Sequence, residues 1–174
     1  LIFHNIAPPE LFENFAPDRA ALLRQGWEEL SFLREKIVLS IADSKYNAQC
    51  LEKIGYQNIV VLQAGVQPNR LHKYESDIEM TRLLERETVD PLLLYVGQAA
   101  PHKRPEVLVQ MQYLLTHHIG RTTSLALVGP PTLPQINAAA LEQARRLRVP
   151  GCLFLGQLTE NQLATLYRKA SIFI

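Results

Sequence analysis

The chain has 174 residues, 47% of them apolar and 20% charged, with a formal net charge of +1. That length suits one ordinary domain or two small ones, and the composition is that of a globular protein. Near-neutral charge, with no lysine- or arginine-rich run and no aromatic stacking platform, argues against a nucleic-acid partner. No apolar stretch approaches the roughly 20 residues needed to span a bilayer.

The opening, "LIFHNIAPPE", lacks the basic and long apolar regions of a signal peptide. Cys50 and Cys152 fit no metal spacing. Two thiols without a framework suggest a reducing compartment, and the cytoplasm is the default expectation.

In chain order, Leu1–His4 reads as a strand and "NIAPPE" as a loop. A long helical stretch follows around Arg19–Glu35, carrying Trp27. "KIVLSIA" is a second strand, after which Asp43 or Ser44 caps a helix to about Ile54, closed by Gly55. "NIVVL" is a third strand. "QAGVQPN", from Gln63 to Asn69, has turn residues and no periodicity, so it reads as a connection. Residues 70–90 are charged and weakly helical, ending at Asp90-Pro91.

A second series begins at Leu92. "LLLYVG" is a strand, Pro105–His118 a helix, "SLALVG" a strand, Pro134–Arg148 a helix, "CLFLG" a strand, Thr159–Lys169 a helix and "SIFI" a strand. Strands apolar on both faces, separated by amphipathic helices, imply a parallel sheet covered on both sides. The fold class expected is therefore α/β, with parts of two Rossmann-like doubly wound sheets. A strand at each terminus leaves sheet edges that a complete domain would pair, so the chain reads as a segment of a longer protein. Leu1–His4 and Ile37–Ile41 are expected to lack their pairing strands, leaving apolar surface of the first half uncovered.

Ligands of open α/β sheets bind at the carboxyl ends of the strands. Three strands of the second series end in glycine, at Gly97, Gly129 and Gly156. Glycine lets the backbone approach a ligand closely or take a positive φ. Gly97 leads through Gln98 to His102, Lys103 and Arg104, just ahead of a helix beginning at Pro105. Cations are disfavoured at that end of a helix unless an anion sits among them. The loop matches neither the Walker A pattern nor G-x-G-x-x-G, which argues against a classical NTPase and a nicotinamide enzyme. A solvated loop is the bland alternative. His4, at the end of the first strand, is placed to face a cleft if the two units face each other. His72, His117 and His118 fall on exposed surface.

These stretches resemble glycosyltransferase family 4, the retaining transferases of GT-B fold. "FHNIAPPELF" is similar to the "HNITPPEFF" stretch of bacterial members that build surface polysaccharides. "IADSKYNAQCLEKIGY" with "VVLQAGVQPNRL" resembles the strand–helix–strand that closes the N-terminal domain and enters the hinge. "LLYVGQAAPHKRPEVLV" resembles the Gly-Arg-loop-Lys signature. "LALVGPP" and "CLFLGQLTENQLATLYRKASIFI" are similar to the segments leading toward the acidic motif.

The resemblance implies residues 1–66 as the end of an N-terminal, acceptor-side domain, 67–90 as a hinge, and 91–174 as the start of the nucleotide-sugar-binding domain. It implies His4 and Lys103 as catalytic residues. Gly97, Gln98, Lys103, Gly129, Gly156, Gln157 and Leu158 would hold the nucleotide sugar. Lys103 matches the lysine of an Arg–Lys pair on the diphosphate, whereas the arginine position is Gln98, which carries no charge. His4 matches a histidine that approaches the reacting sugar, and Gly156, Gln157 and Leu158 a segment near the base.

No metal or cofactor is implied. The partners are a nucleotide-diphosphate sugar as donor, a saccharide or lipid-linked acceptor, and for the full-length parent a peripheral association with the inner face of the membrane. The family's glycine-rich first loop would precede Leu1 and its glutamate pair would follow Ile174, so this segment alone is not expected to be active. Two rivals remain, a non-catalytic nucleotide-sugar-binding module and a GT-B-fold sugar-nucleotide epimerase. No carboxylate pair of the kind the epimerase would need stands out.

Overall fold

The structure is a computed structural model and describes residues 1–63, 65, 67 and 70–174. The connection read over Gln63–Asn69 lies partly outside these residues. The chain divides into two compact units, Leu1–Gln67 and Pro68–Ile174.

The first unit is a three-stranded parallel sheet of β1 (Ile2–Phe3), β2 (Ser40–Ala42) and β3 (Ile59–Val61), in that order. Helix α1 (Pro17–Leu33) links β1 to β2, and α2 (Lys45–Lys53) links β2 to β3. The Ser44 hydroxyl accepts from the Asn47 N–H at 3.1 Å and caps α2. Gly55, at φ +90°, turns the chain out of that helix. Phe3, Leu30, Ala42, Ala48, Leu51 and Tyr56 form the core. The buried Tyr56 hydroxyl donates to the Leu30 carbonyl at 2.6 Å, which ties α1 to the turn after α2.

Two expectations for this half need correction. β1 and β2 do not lack partners, because they pair with each other, Ile2 opposite Ile41 and Phe3 opposite Ala42. The second strand is also shorter than "KIVLSIA" suggested. Val38 and Leu39 are exposed and only Ser40–Ala42 lies in the ladder. Ile2, Leu22, Phe32 and Val38 leave apolar surface uncovered, as expected.

The second unit has four parallel strands, β4 (Leu92–Val96), β5 (Ser124–Val128), β6 (Cys152–Gly156) and β7 (Ile172–Phe173), in the order β6-β5-β4-β7. Helices α4 (Pro105–His117), α5 (Pro134–Leu147) and α6 (Glu160–Lys169) make the crossovers. Successive residues of a strand point to opposite faces. Accordingly Leu93, Leu125 and Leu127 pack with Val109 of α4 and Ala144 of α5. Leu92, Leu94, Ala126 and Val128 pack the other way, with Leu166 of α6. β5 is buried along its whole length.

A further helix, α3 (Ile78–Glu87), completes that second face. Asp77 caps it, its side chain accepting from the Met80 N–H at 2.7 Å, while its own N–H donates to the Thr165 hydroxyl of α6 at 2.8 Å. Met80 and Leu84 are buried in the core with Leu166. Arg70 pairs with Glu160 at 2.9 Å, and Arg168 donates to the Leu71 carbonyl at 2.9 Å. The stretch read as a charged hinge over 67–90 is therefore, from Arg70 onward, part of the second unit. Leu84→Ala should destabilise this unit by about 2–5 kcal/mol, as truncation of a fully packed leucine does. A denaturant melt of the second unit is the measurement, and an unchanged midpoint would return α3 to the role of a linker.

Burial pushes the Cys152 thiol up from 9.0 to about 12. Below the lower value both folded and unfolded chains keep the proton, and its contribution to stability is fully present. Between the two values only the unfolded chain loses it, so stability falls by up to about 1.4 kcal/mol per pH unit. Tyr56, Tyr95 and Tyr167, whose phenols burial also pushes up, add to the same trend. Comparing wild type with Cys152→Ala isolates the thiol: the variant's stability should decline less steeply in alkali.

Candidate functional site

The strand order of the second unit locates its site. From β4 the chain steps to β5 and β6 on one side and then returns to β7 on the other. Such a reversal opens a crevice at the carboxyl ends of the strands flanking it. The loop that leaves β4 there is Gly97–Arg104.

The rim of this sheet is tightly built. The Gly97 N–H donates to the Val128 carbonyl and the Gly129 N–H to the Gly156 carbonyl, both at 2.8 Å. These bonds knit the ends of β4, β5 and β6 together, and they occupy two amides that are thereby withheld from a phosphate. Gly129 sits at φ +143°, where a Cβ would lie 2.0 Å from the Gly97 carbonyl oxygen. A Cβ on Gly97 would come within 2.5 Å of the Tyr95 hydroxyl. Gly156, at φ +63°, faces open space. The three glycines thus have different reasons, a strand-to-strand approach, a ring beneath the backbone, and a left-handed turn.

A small cleft, with a free volume of about 20 Å³, lies over this rim, lined by Gly97, Gly129 and Gly156 together with Tyr95, Pro105, Asn137 and Phe154. Sequence reasoning missed Tyr95, Asn137 and Phe154. Alternation along β4 puts Tyr95 on the same side as Gly97. Asn137 is in the first turn of α5, so each had a signal in retrospect. The Tyr95 hydroxyl is buried with no hydrogen-bond partner among the described residues, and burial pushes its phenol up, so it stays a neutral donor.

Gln98 and Lys103 are exposed and do not line the cleft, Lys103 ending the 3-10 turn Pro101–Lys103. Arg104 takes a left-handed conformation (φ 48°, ψ 52°) as the N-cap of α4, and its guanidinium pairs with Glu106 in the first helical turn. That pairing offsets one of the basic residues at the helix start. Lys103 forms no ion pair among the described residues, and its ammonium is the charge left for an anion. Gln157 is exposed, whereas Leu158 packs partly against the core beside Leu166.

His4 belongs to the first unit. It follows β1, is largely exposed, and its Nδ1 lies 3.5 Å from Oδ2 of Asp43, which follows β2. The Asn47 hydrogen bond, opposed by desolvation and assisted by the nearby His4 and Ser44, holds the Asp43 carboxyl below its usual range. No cluster of His, Cys, Asp and Glu among the described residues could hold a metal ion. No helix among them is long and apolar enough to cross a membrane.

Two α/β units in one chain, each with a parallel sheet, the second reversing its strand order beside β4 and glycine-edged at the carboxyl ends of β4, β5 and β6, match an architecture of GT-B type. Solved structures agree. The chain superposes on Anabaena Alr3699/HepE, crystallised with UDP-glucose, with a TM-score of 0.69 at 14% identity, covering 99% of this chain and 45% of that one. A glycosyltransferase from Rickettsia africae ESF-5 gives 0.67 at 17% identity, covering 99% and 50%. Sucrose-phosphate synthase from Thermosynechococcus elongatus gives 0.66 at 16% identity, covering 99% and 43%. The chain spans about half the length of these structures. No family model matches the sequence, and no curated protein matches it.

Proposed function

We propose that this chain is part of a retaining glycosyltransferase that moves a sugar from a nucleotide-diphosphate donor to a saccharide or lipid-linked acceptor. The observation that carries this reading is the loop Gly97–Arg104 at the reversal of strand order, whose Lys103 ammonium, with no ion pair among the described residues, stands just ahead of the first turn of α4. That combination suits a diphosphate. Lys103 and the N-terminus of α4 would stabilise charge growing on the departing diphosphate, the role that a divalent ion plays in other transferases. Asn137, on the lining of the small cleft, supplies a polar side chain that would meet the donor. His4 would act on the donor sugar. Membership of glycosyltransferase family 4, a role in surface polysaccharide synthesis, and a cytoplasmic site at the inner face of the membrane belong to the same proposal, supported by the sequence stretches that resemble that family.

Gln98 favours a second reading, a non-catalytic nucleotide-sugar-binding module, since it removes a charge from the phosphate loop. Calorimetric titration with uridine and guanosine diphosphates tests the binding that both readings share. Gln98→Arg should tighten one of them and Lys103→Ala should weaken it. Equal affinity in wild type and both variants would sink the phosphate site. Assay of the intact protein with a panel of nucleotide sugars then separates transfer from binding alone.

A further inference from the structure

The first unit holds an arrangement that reaches beyond the donor loop. β1 and β2 run parallel with Phe3 opposite Ala42, so the next residues of both strands, His4 and Asp43, emerge side by side at the carboxyl end of the sheet. Asp43 is fixed from several directions. Its N–H donates to the Phe3 carbonyl at 3.4 Å, and its Oδ1 accepts from Nδ2 of Asn47. Asn47 is only 5% exposed and its backbone is held by the Ser44 cap, so the amide cannot swing away. Its own side-chain Oδ1 is buried with no hydrogen-bond partner among the described residues. The Asn47 side chain therefore serves Asp43 at its own expense, an arrangement that a helix cap alone does not require, since Ser44 already supplies the cap.

With Oδ1 occupied, the oxygen left for His4 is Oδ2, 3.5 Å from Nδ1. The chain beyond the histidine is also constrained, because Asn5 takes φ 95°, a conformation uncommon outside glycine. We propose that Asp43 is a positioning residue for His4, accepting its Nδ1–H and thereby presenting Nε2, as a hydrogen-bond acceptor, to a sugar hydroxyl. This rests on the reading of His4 as a group of the transfer site. A carboxylate in this place selects one neutral tautomer, because Nδ1 must carry the proton to meet an acceptor. Asn47 acts one step further out, holding the carboxylate at the angle the imidazole needs.

Nitrogen-15 NMR of the labelled chain in mildly alkaline solution, where imidazole is neutral, reads the tautomer of His4 directly. The expected result is Nδ1–H in wild type, reverting in Asp43→Ala to the Nε2–H form favoured by a histidine side chain in water. Asn47→Ala should give a mixture. A wild-type His4 in the Nε2–H form overturns the proposal, whether or not the variants fold, and so does an unchanged tautomer in a folded Asp43→Ala chain. In the intact protein, Asp43→Ala should lower kcat about ten- to a hundredfold with little change in donor KM, and adding His4→Ala should cost little more. If the tautomer reverts in Asp43→Ala while His4→Ala transfers sugar at the wild-type rate, the positioning contact stands. What falls in that case is the assignment of His4 to the transfer site.

Discussion

Gly129→Ala should unfold the rim of the second unit, at a cost of about 4 kcal/mol or more. The new Cβ would lie 2.0 Å from the Gly97 carbonyl oxygen and 2.6 Å from its carbon. Both obstacles are backbone atoms, and neither can retreat. Gly97 is tied to Val128, and Gly129 to Gly156, through hydrogen bonds of 2.8 Å. Relief means parting β4 from β5 at their carboxyl ends, which breaks the ladder and opens Val128 of the core to water. The backbone adds its own penalty, since φ +143° is a region that residues with a side chain rarely enter. Effects of this size come from a short list of causes, and forced overlap at a strained backbone is one of them. Gly156→Ala is the control. Its φ of +63° is left-handed but its Cβ would meet nothing within 4 Å, so about 1–2 kcal/mol is expected. Chemical denaturation of the two variants measures the difference, and because the chain has two units the second unit's transition must be followed by itself. Equal losses in the two variants would mean that the strand ends are not as close as described.

Lys103→Ala in the intact protein should reduce kcat/KM for the donor about ten- to a hundredfold. A charge-assisted hydrogen bond to a phosphate contributes roughly 1.5–3 kcal/mol, and each 1.4 kcal/mol is a factor of ten. Part of the loss should appear in kcat, because negative charge on the diphosphate grows as the sugar departs. The neighbouring Arg104 cannot readily substitute, being held by Glu106. Folding stability should scarcely move, since Lys103 is exposed at the end of a short 3-10 turn and makes no ion pair among the described residues. Arg104→Ala is the informative companion. It removes the N-cap contact with Glu106 and should affect α4 more than donor binding. Full activity in Lys103→Ala would reduce the basic triplet to a solvated loop.

Most elements of this fold are legible in the sequence because they rest on local chemistry. The two-sided apolar runs at Leu92–Val96 and Ser124–Val128 identify buried strands, and Ser44 and Gly55 bracket a helix whose caps need only their neighbours. The glycines at 97, 129 and 156 mark strand ends by the same logic. The failures have one origin. Residues 70–90 are polar enough to read as a linker, and only contacts with Glu160, Thr165 and Arg168, some 90 residues away, make them part of the second unit. "KIVLSIA" is mostly apolar, yet Val38 and Leu39 are left exposed.

The candidate site divides in the same way. Its residue types and their order, a glycine, a short loop, a lysine and a helix start, are properties of the sequence alone, and so is the absence of a charge at Gln98. Only the tertiary structure decided that the loop after β4 lies where the strand order reverses, that Tyr95 and Asn137 line the cleft, and that two of the rim amides are already bonded. It also decided that His4 meets Asp43, 39 positions further along. That pairing follows from the register of β1 on β2, and register is set by which faces the whole sheet buries, a quantity no local window contains.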